Sequence, residues 1–401
     1  MPVEFLGIAG TNPASEVTPR RGDILDLEYT RRLARAHEDN GWDRILFAYH
    51  SGSPDPAQVA AYVAGHTDRI NLVIAHRPNV SAPTFFAKTI ATLDHLSRGR
   101  AEVHFITGGS TADQAAEGDH LDKDTRYDRT REYIRIVKQA WTSPDAFDHP
   151  GTHYDIRGYR PDIRPVQHPR PRVSFGGSSE AAYRVGAAEA DVYALWGEPL
   201  AGTRQQIASI DAAAAAAGRP RPRLQIAFRP IIAPTEELAW AKAERILGRI
   251  SSGVTGRPPH HHIGEPENAG SRRLLAATAD ADRHDRALWT APTRLTGGQG
   301  NSTALVGTPE TVAAALLDYY DLGITLLSAR GYDIYDDAID VGRYVIPIVR
   351  QEVAARDAAA ARAAHPGPAP APGTVAAPGA EAATAAGTER SPRAGVLAGA
   401  S

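Results

Sequence analysis

The chain contains no cysteine. Disulfides, thiolate nucleophiles and thiolate metal centres are thereby excluded from its stability and its chemistry. Long hydrophobic runs are missing as well: no stretch reaches about 18 consecutive apolar residues. Met1-Pro2-Val3-Glu4-Phe5 opens without the charged-then-apolar pattern of a leader, so a cytoplasmic protein is expected. Neither sign of charge dominates, with 44 Lys and Arg against 47 Asp and Glu and no long basic run, which argues against a nucleic-acid partner. No G-x-G-x-x-G follows the first strand-like segment, so the dinucleotide fingerprint of a doubly wound sheet is lacking. From residue 354 to 401 large apolar side chains nearly vanish in favour of Ala, Pro and Gly. Such a composition cannot bury enough surface to offset chain entropy, so a disordered tail is expected after a folded domain spanning 1–353.

What is present alternates. Strand-like apolar runs are expected at 3–9, 44–49, 70–75, 101–106, 172–175, 191–196, 224–232 and 324–329. Helix-patterned stretches lie between them at 24–40, 56–66, 83–96, 126–142, 180–190, 200–217, 235–250 and 309–322, and a last helix at 336–351 closes the domain. Eight such units in an α/β chain predict a (β/α)8 TIM barrel more than an open sheet. Two insertions interrupt it. Residues 147–171 suggest a small hairpin, and 251–302, rich in Gly, Pro and charge, suggest a lid.

The most informative segment is Arg172-Val173-Ser174-Phe175-Gly176-Gly177-Ser178-Ser179-Glu180. Strand, glycine turn, hydroxyls and helix start together describe an anion site, because first-turn N–H groups and the helix dipole both favour negative charge. A plain N-cap on a surface helix also selects Ser178 or Ser179. The other strand ends carry Gly10-Thr11-Asn12, Tyr49-His50-Ser51-Gly52-Ser53, His76-Arg77-Pro78, Thr107-Gly108-Gly109-Ser110, Trp196-Gly197-Glu198, Arg229, and Arg330-Gly331-Tyr332. Polar loops explain any one of these. Their recurrence at all eight ends favours a site at the C-terminal face.

Thr92-Leu93-Asp94-His95-Leu96-Ser97-Arg98-Gly99-Arg100 resembles the T-L-D-x-L-S-x-G-R signature of bacterial-luciferase-like flavin monooxygenases. Six further segments match in the same order: His76-Arg77-Pro78 with Ala82-Pro83-Thr84, Ile106-Thr107-Gly108, Arg126-Tyr127, Phe175–Ser179, Trp196-Gly197-Glu198-Pro199 and Ala304-Leu305-Val306-Gly307. The pattern is most similar to the alkanesulfonate monooxygenase branch and covers about residues 3–352. The resemblance implies reduced FMN as cofactor, with Gly177, Ser178 and Ser179 holding its phosphate and Thr107 and Tyr127 along the flavin. Tyr127 reads equally as a packing aromatic. The resemblance also implies O2 as co-substrate, a flavin peroxide as oxygenating species, and a separate NAD(P)H:flavin reductase as partner. A homodimer or homotetramer is expected. Tyr332 resembles an active-site tyrosine of the sulfonate enzymes.

Three departures fall at the substrate end. Ser53 stands where the sulfonate branch has a cysteine. Ala227 and Arg229 stand where it has Arg-x-His, and Thr296, with Arg294 two residues earlier, where its lid arginine precedes Gly297-Gly298. Arg229, Arg294 and Arg330 suit a small anionic, sulfonate-like substrate, since guanidinium binds carboxylate or sulfonate oxygens in pairs. If Arg229 meets a protein carboxylate instead, strand order makes Glu198 the nearest candidate. His50 and His76 are acid/base candidates, each equally readable as a structural histidine. Asn12, Ser53, His76, Trp196 and Arg294 are the expected substrate-lining set, and His50, Arg229 and Tyr332 the expected catalytic one. No metal is expected, because neighbouring His260, His261 and His262 point in different directions. A deazaflavin-dependent dehydrogenase of the same superfamily, or a non-catalytic flavin-binding protein, are the alternatives.

Overall fold

The computed structural model describes residues 2–253, 266–298, 300 and 302–364. Residues 260–262, the histidine run, lie outside the described residues. One compact unit comprises Met1–Asp357; of the second, Ala358–Ser401, the described residues are helical and end at Ala364.

Eight parallel strands close on themselves. In chain order they are β1 (Glu4–Ile8), β2 (Arg44–Phe47), β3 (Asn71–His76), β4 (Ala101–Phe105), β5 (Val173–Gly176), β6 (Val192–Trp196), β7 (Arg223–Ile232) and β8 (Ile324–Ala329). Each pairs with the next, and β8 returns to β1 through Glu4↔Leu326, so the sheet has no open edge within the ring. Helices fill the connections, as the period-3.6 stretches predicted. Most start on a side-chain cap: Asp26, Asp55, Asp122, Ser179, Thr235 and Thr308 each accept from a first-turn N–H. Among the described residues no helix is long and apolar enough to cross a membrane.

Alternation along the strands decides which side chains reach the centre. Phe105, Tyr193 and Phe228 face out, where they meet Phe86, Tyr183 and Tyr319 of the surrounding helices. Their neighbours Glu102, His104, Trp196 and Arg229 therefore face in.

The N-terminal end of the barrel is plugged by charge. Glu4 accepts from Arg44, Arg172 (3.1 Å) and Arg223 (2.5 Å), and Arg44 also approaches Glu102 at 3.4 Å. Burial pushes the Glu102 carboxyl up to about 7, against the pull of Arg44. A carboxyl whose pKa is higher folded than unfolded keeps its proton in the folded state over the window from about 4.5 to 7. Stability is therefore lost as pH rises through that window. Glu102→Gln removes this penalty, and its melting-temperature advantage over the parent should widen between pH 5 and pH 8, by up to about 3 kcal/mol in stability. Parallel curves at the two pH values would contradict it.

Two expectations are corrected here. The described residues of the 251–302 insertion, expected to lack clear structure of their own, are partly regular. They include a helix (Ala269–Asp280), two short strands (Arg283–His284 and Leu288–Trp289) and a helical turn (Ala291–Leu295). Leu288–Trp289 pairs antiparallel with Ala304–Gly307, which pairs parallel with the far half of β7, Arg229–Ile232. The last helix runs Ile346–Ala364, past residue 354, because its Ala, Arg and Glu content favours helix even with few large apolar residues.

Candidate functional site

The turn after β5 has the geometry expected of an anion cradle. Gly177 takes φ +146°, and a Cβ there would lie 2.6 Å from that of Ala182, so a larger residue would push the turn off the helix start. Ser179 caps the helix Glu180–Glu189 by accepting from Ala182 N at 3.2 Å. The plain N-cap role thus holds for Ser179 as well, and the remaining first-turn N–H groups stay available. Three tyrosines lie near the turn. The Tyr127 hydroxyl lies 3.4 Å from where a Gly177 Cβ would sit, Tyr193 donates to Gly177 O at 2.9 Å, and Tyr183, packed against Tyr193, donates to Gln206 Oε1 at 3.1 Å. Tyr127 also packs edge-on against Phe175, so it serves packing and the turn at once. Tyr183 and Tyr193 escaped the sequence reading because their positions depend on helix and strand facing. At the end of β4, Thr107 Oγ1 is buried with no partner among the described residues, a place where a bound group would supply one.

The end of β3 corrects the assignment of His76. Its ring faces outward, stacked on Phe86 at 3.5 Å between centroids and hydrogen-bonded through Nε2 to the Tyr133 hydroxyl at 2.8 Å. Burial pushes its pKa down to about 3, so it stays neutral and away from the barrel mouth. Arg77, one residue on, takes the inward position. It is 1% exposed, lies 5.1 Å from the Tyr49 ring centroid, and donates to Asp113 and Glu117 of the segment after β4. Below, His104 is bonded to Ser174 Oγ at 2.9 Å and held neutral by burial, which lowers its pKa to about 4.

Arg229 faces inward at the far half of β7, and it does meet a protein carboxylate. That carboxylate is Glu16, from the loop after β1, and not Glu198: Nη1 and Nη2 donate to Glu16 Oε2 and Oε1 at 3.0 and 2.7 Å. Glu198 is held by Arg273 at 2.8 and 2.7 Å. Arg330 joins from the end of β8, at 3.2 Å from each Glu16 oxygen. Although burial works against ionisation, the two guanidiniums hold Glu16 well below the usual carboxylate range. Tyr332 lies beneath, its ring centroid 4.7 Å from the Arg229 guanidinium carbon, and burial pushes its pKa up to about 12, so it remains a hydrogen-bond donor.

Other expected residues are placed less centrally. Asn12 closes its own loop, donating to Ile24 O and accepting from Ala14 N, both at 3.0 Å. His50 is exposed, its Nδ1 accepting from Gly52 N at 3.2 Å, and Ser53 donates to His50 O at 2.8 Å. Arg294 is half-exposed, bound to Asp282 at 2.8 Å and to Thr278 O at 2.9 Å.

The helix Ala269–Asp280, within the segment expected to form a lid, lies against the C-terminal ends of β4 and β6. Trp196 packs against Gly270, where a Cβ would fall 2.7 Å from its ring. Arg273 ties the helix to Glu198 beyond β6, and Glu267 accepts from Thr111 N and Oγ1 beyond β4, each at 2.8 Å. The β5 turn, the Arg229–Arg330 pair, Trp196 and the helix Ala269–Asp280 thus all lie toward the C-terminal ends of the strands.

Comparison with known proteins gives the family and the fold. The family model described as luciferase-like monooxygenase matches residues 5–326, most of the chain, and the chain belongs to that family. A riboflavin lyase solved with modified FMN and riboflavin has a TM-score of 0.73 at 24% identity, covering 88% of this chain and 92% of its own. An EDTA monooxygenase from Chelativorans sp. BNC1 has a TM-score of 0.70 at 19% identity, covering 88% and 95%. An F420-dependent secondary alcohol dehydrogenase, solved with an F420–acetone adduct, has a TM-score of 0.63 at 15% identity, covering 87% and 99%. At these identities the likeness is one of fold.

Proposed function

We propose that this member of the luciferase-like monooxygenase family uses reduced FMN and O2 to oxygenate a small organic substrate bearing one anionic group. The flavin would be delivered reduced by a separate NAD(P)H:flavin reductase. The observation that carries this reading is the Gly177–Ser179 turn, with Tyr127 and Tyr193 beside it, across the eight-strand ring from the loop that bears Glu16. One end of the mouth suits a phosphate and the other a second anion.

When bound, reduced flavin supplies the activation of O2 that no side chain can supply. The chain's residues would do the rest. Ser178, Ser179 and the first-turn N–H groups hold the phosphate, with the Tyr127 hydroxyl beside them. Thr107 Oγ1 offers its unpaired hydroxyl to the flavin. Trp196 and the lid helix above it exclude water, which favours oxygen transfer over loss of the activated oxygen as peroxide. Arg229 and Arg330 orient the anionic group, while Tyr332, held protonated, donates a hydrogen bond. His50 at the exposed rim is the proposed proton-transfer group, since His76 is turned away and buried.

The test is an aerobic assay of the purified chain with chemically reduced FMN and a panel of carboxylates, sulfonates and neutral sulfones. Oxygen uptake coupled to an oxygenated product is expected. Reduction of an oxidised deazaflavin by an alcohol without O2 uptake would replace this reading with a dehydrogenase one.

A further inference from the structure

We propose that Glu16 is a resident stand-in for the substrate's anionic group. Its carboxylate fills the Arg229–Arg330 subsite in the substrate-free chain, and a substrate carboxylate or sulfonate binds there by displacing it. The proposal rests on the anionic-substrate reading above and adds an internal competitor to it.

The geometry is that of a bound ligand. Glu16 Oε1 lies 2.7 Å from Arg229 Nη2 and 3.2 Å from Arg330 Nη1, and Oε2 lies 3.0 Å from Arg229 Nη1 and 3.2 Å from Arg330 Nη2. Two forks thus share both oxygens of one group, as they would a carboxylate or sulfonate from solution.

The loop does not depend on this contact. Ser15 N bonds to Thr18 O at 3.0 Å, and Ser15 Oγ accepts from Val17 N and Thr18 N at 3.2 Å. Val17 is buried among Ile231, Trp289 and Tyr332, and its carbonyl accepts from Arg249 at 2.9 Å. With the turn anchored on both sides, the Glu16 side chain can swing away by rotation about its own bonds. The accessible members are the ones exchange requires: the Glu16 and Arg330 side chains are 31% and 29% exposed, against 7% for Arg229.

Among the described residues, Glu16 is the carboxylate that meets both guanidiniums, and Arg330 Nε is buried with no partner. Burial, aided by the Arg229 charge, lowers the Arg330 pKa to about 10, against the pull of Glu16. An incoming anion replaces like with like. A neutral molecule of the same shape would not replace the Glu16 charge it displaces, so the occupied subsite also rejects neutral analogues.

The experiment is calorimetric titration of the full chain with methanesulfonate in low-salt, chloride-free buffer, with neutral dimethyl sulfone as control. Glu16→Ala should bind methanesulfonate at least about tenfold tighter than the parent, and Glu16→Ala/Arg229→Met should lose that gain. Dimethyl sulfone should show no such change. Equal affinity in parent and Glu16→Ala, or a gain that survives in the double variant, overturns the proposal. Should Glu16→Ala fail to fold, Glu16→Asp keeps the charge but shortens its reach by one methylene. A several-fold tightening is expected there too, and none would overturn the idea. No step needs flavin. Tightening without oxygen uptake would sink the flavin reading alone, and oxygen uptake without tightening would sink this one alone.

Discussion

Reduced FMN is expected to bind at least about tenfold more weakly to a Ser178→Ala/Ser179→Ala double variant than to the parent. Each hydroxyl removed takes away a donor to a phosphate dianion, a contact worth roughly 1.5–3 kcal/mol. Water entering the opened space recovers part of this, which is why about tenfold is the floor. The single variants separate two roles. Ser179 also caps its helix through Ala182 N, so Ser179→Ala should cost about 1 kcal/mol of stability in addition to flavin affinity. Ser178 has no such duty in the cap, so Ser178→Ala should weaken flavin with little change in melting temperature. Fluorescence quenching under anaerobic conditions measures the affinity directly. Unchanged binding in the double variant would place the phosphate elsewhere.

The second large effect is expected from Arg273→Met. Glu198 is 3% exposed and receives both of its side-chain ion-pair bonds from Arg273, on the lid helix. Removing one member of a buried pair typically costs about 3–5 kcal/mol, because the other charge is left desolvated. Here the chain has a cheaper alternative. If the helix Ala269–Asp280 lifts from Trp196, water reaches Glu198 and most of the penalty disappears. Global melting should therefore fall less than the pair's burial implies, while backbone amides of 269–280 lose hydrogen-exchange protection. With the cover loosened, hydrogen peroxide released per O2 consumed should rise several-fold while FMN affinity holds. Parent-like coupling with parent-like exchange would remove the lid role from this helix.

The barrel was readable because buried parallel strands leave continuous apolar runs, such as Leu72-Val73-Ile74-Ala75, between capped amphipathic helices. The β5 turn was readable for a similar reason: strand, glycines, hydroxyls and helix start are contiguous, so local physics specifies the cradle. What escaped was long-range or depended on facing. His76 and Arg77 are adjacent, and strand parity alone, fixed by Phe86 of the next helix and Tyr133 of a more distant one, decides which one enters the mouth. Glu16 lies 213 residues from Arg229, and nothing in a loop reading Ala14-Ser15-Glu16-Val17 marks it as that arginine's partner. The two-residue strands of the lid are too short for any periodicity to show. The final helix misled in the other direction, since alanine-rich sequence reads both as low-complexity tail and as strong helix former.

The most direct test is an anaerobic titration of the unmodified chain with reduced FMN and, separately, with reduced riboflavin. The two share the ring system and differ by the phosphate alone. If the turn at Gly177–Ser179 holds that phosphate, FMN should bind at least about a hundredfold tighter, as expected for two or more charge-assisted hydrogen bonds at a helix start. Equal affinity for the two flavins would contradict the assignment of this turn, and with it the orientation of the whole site.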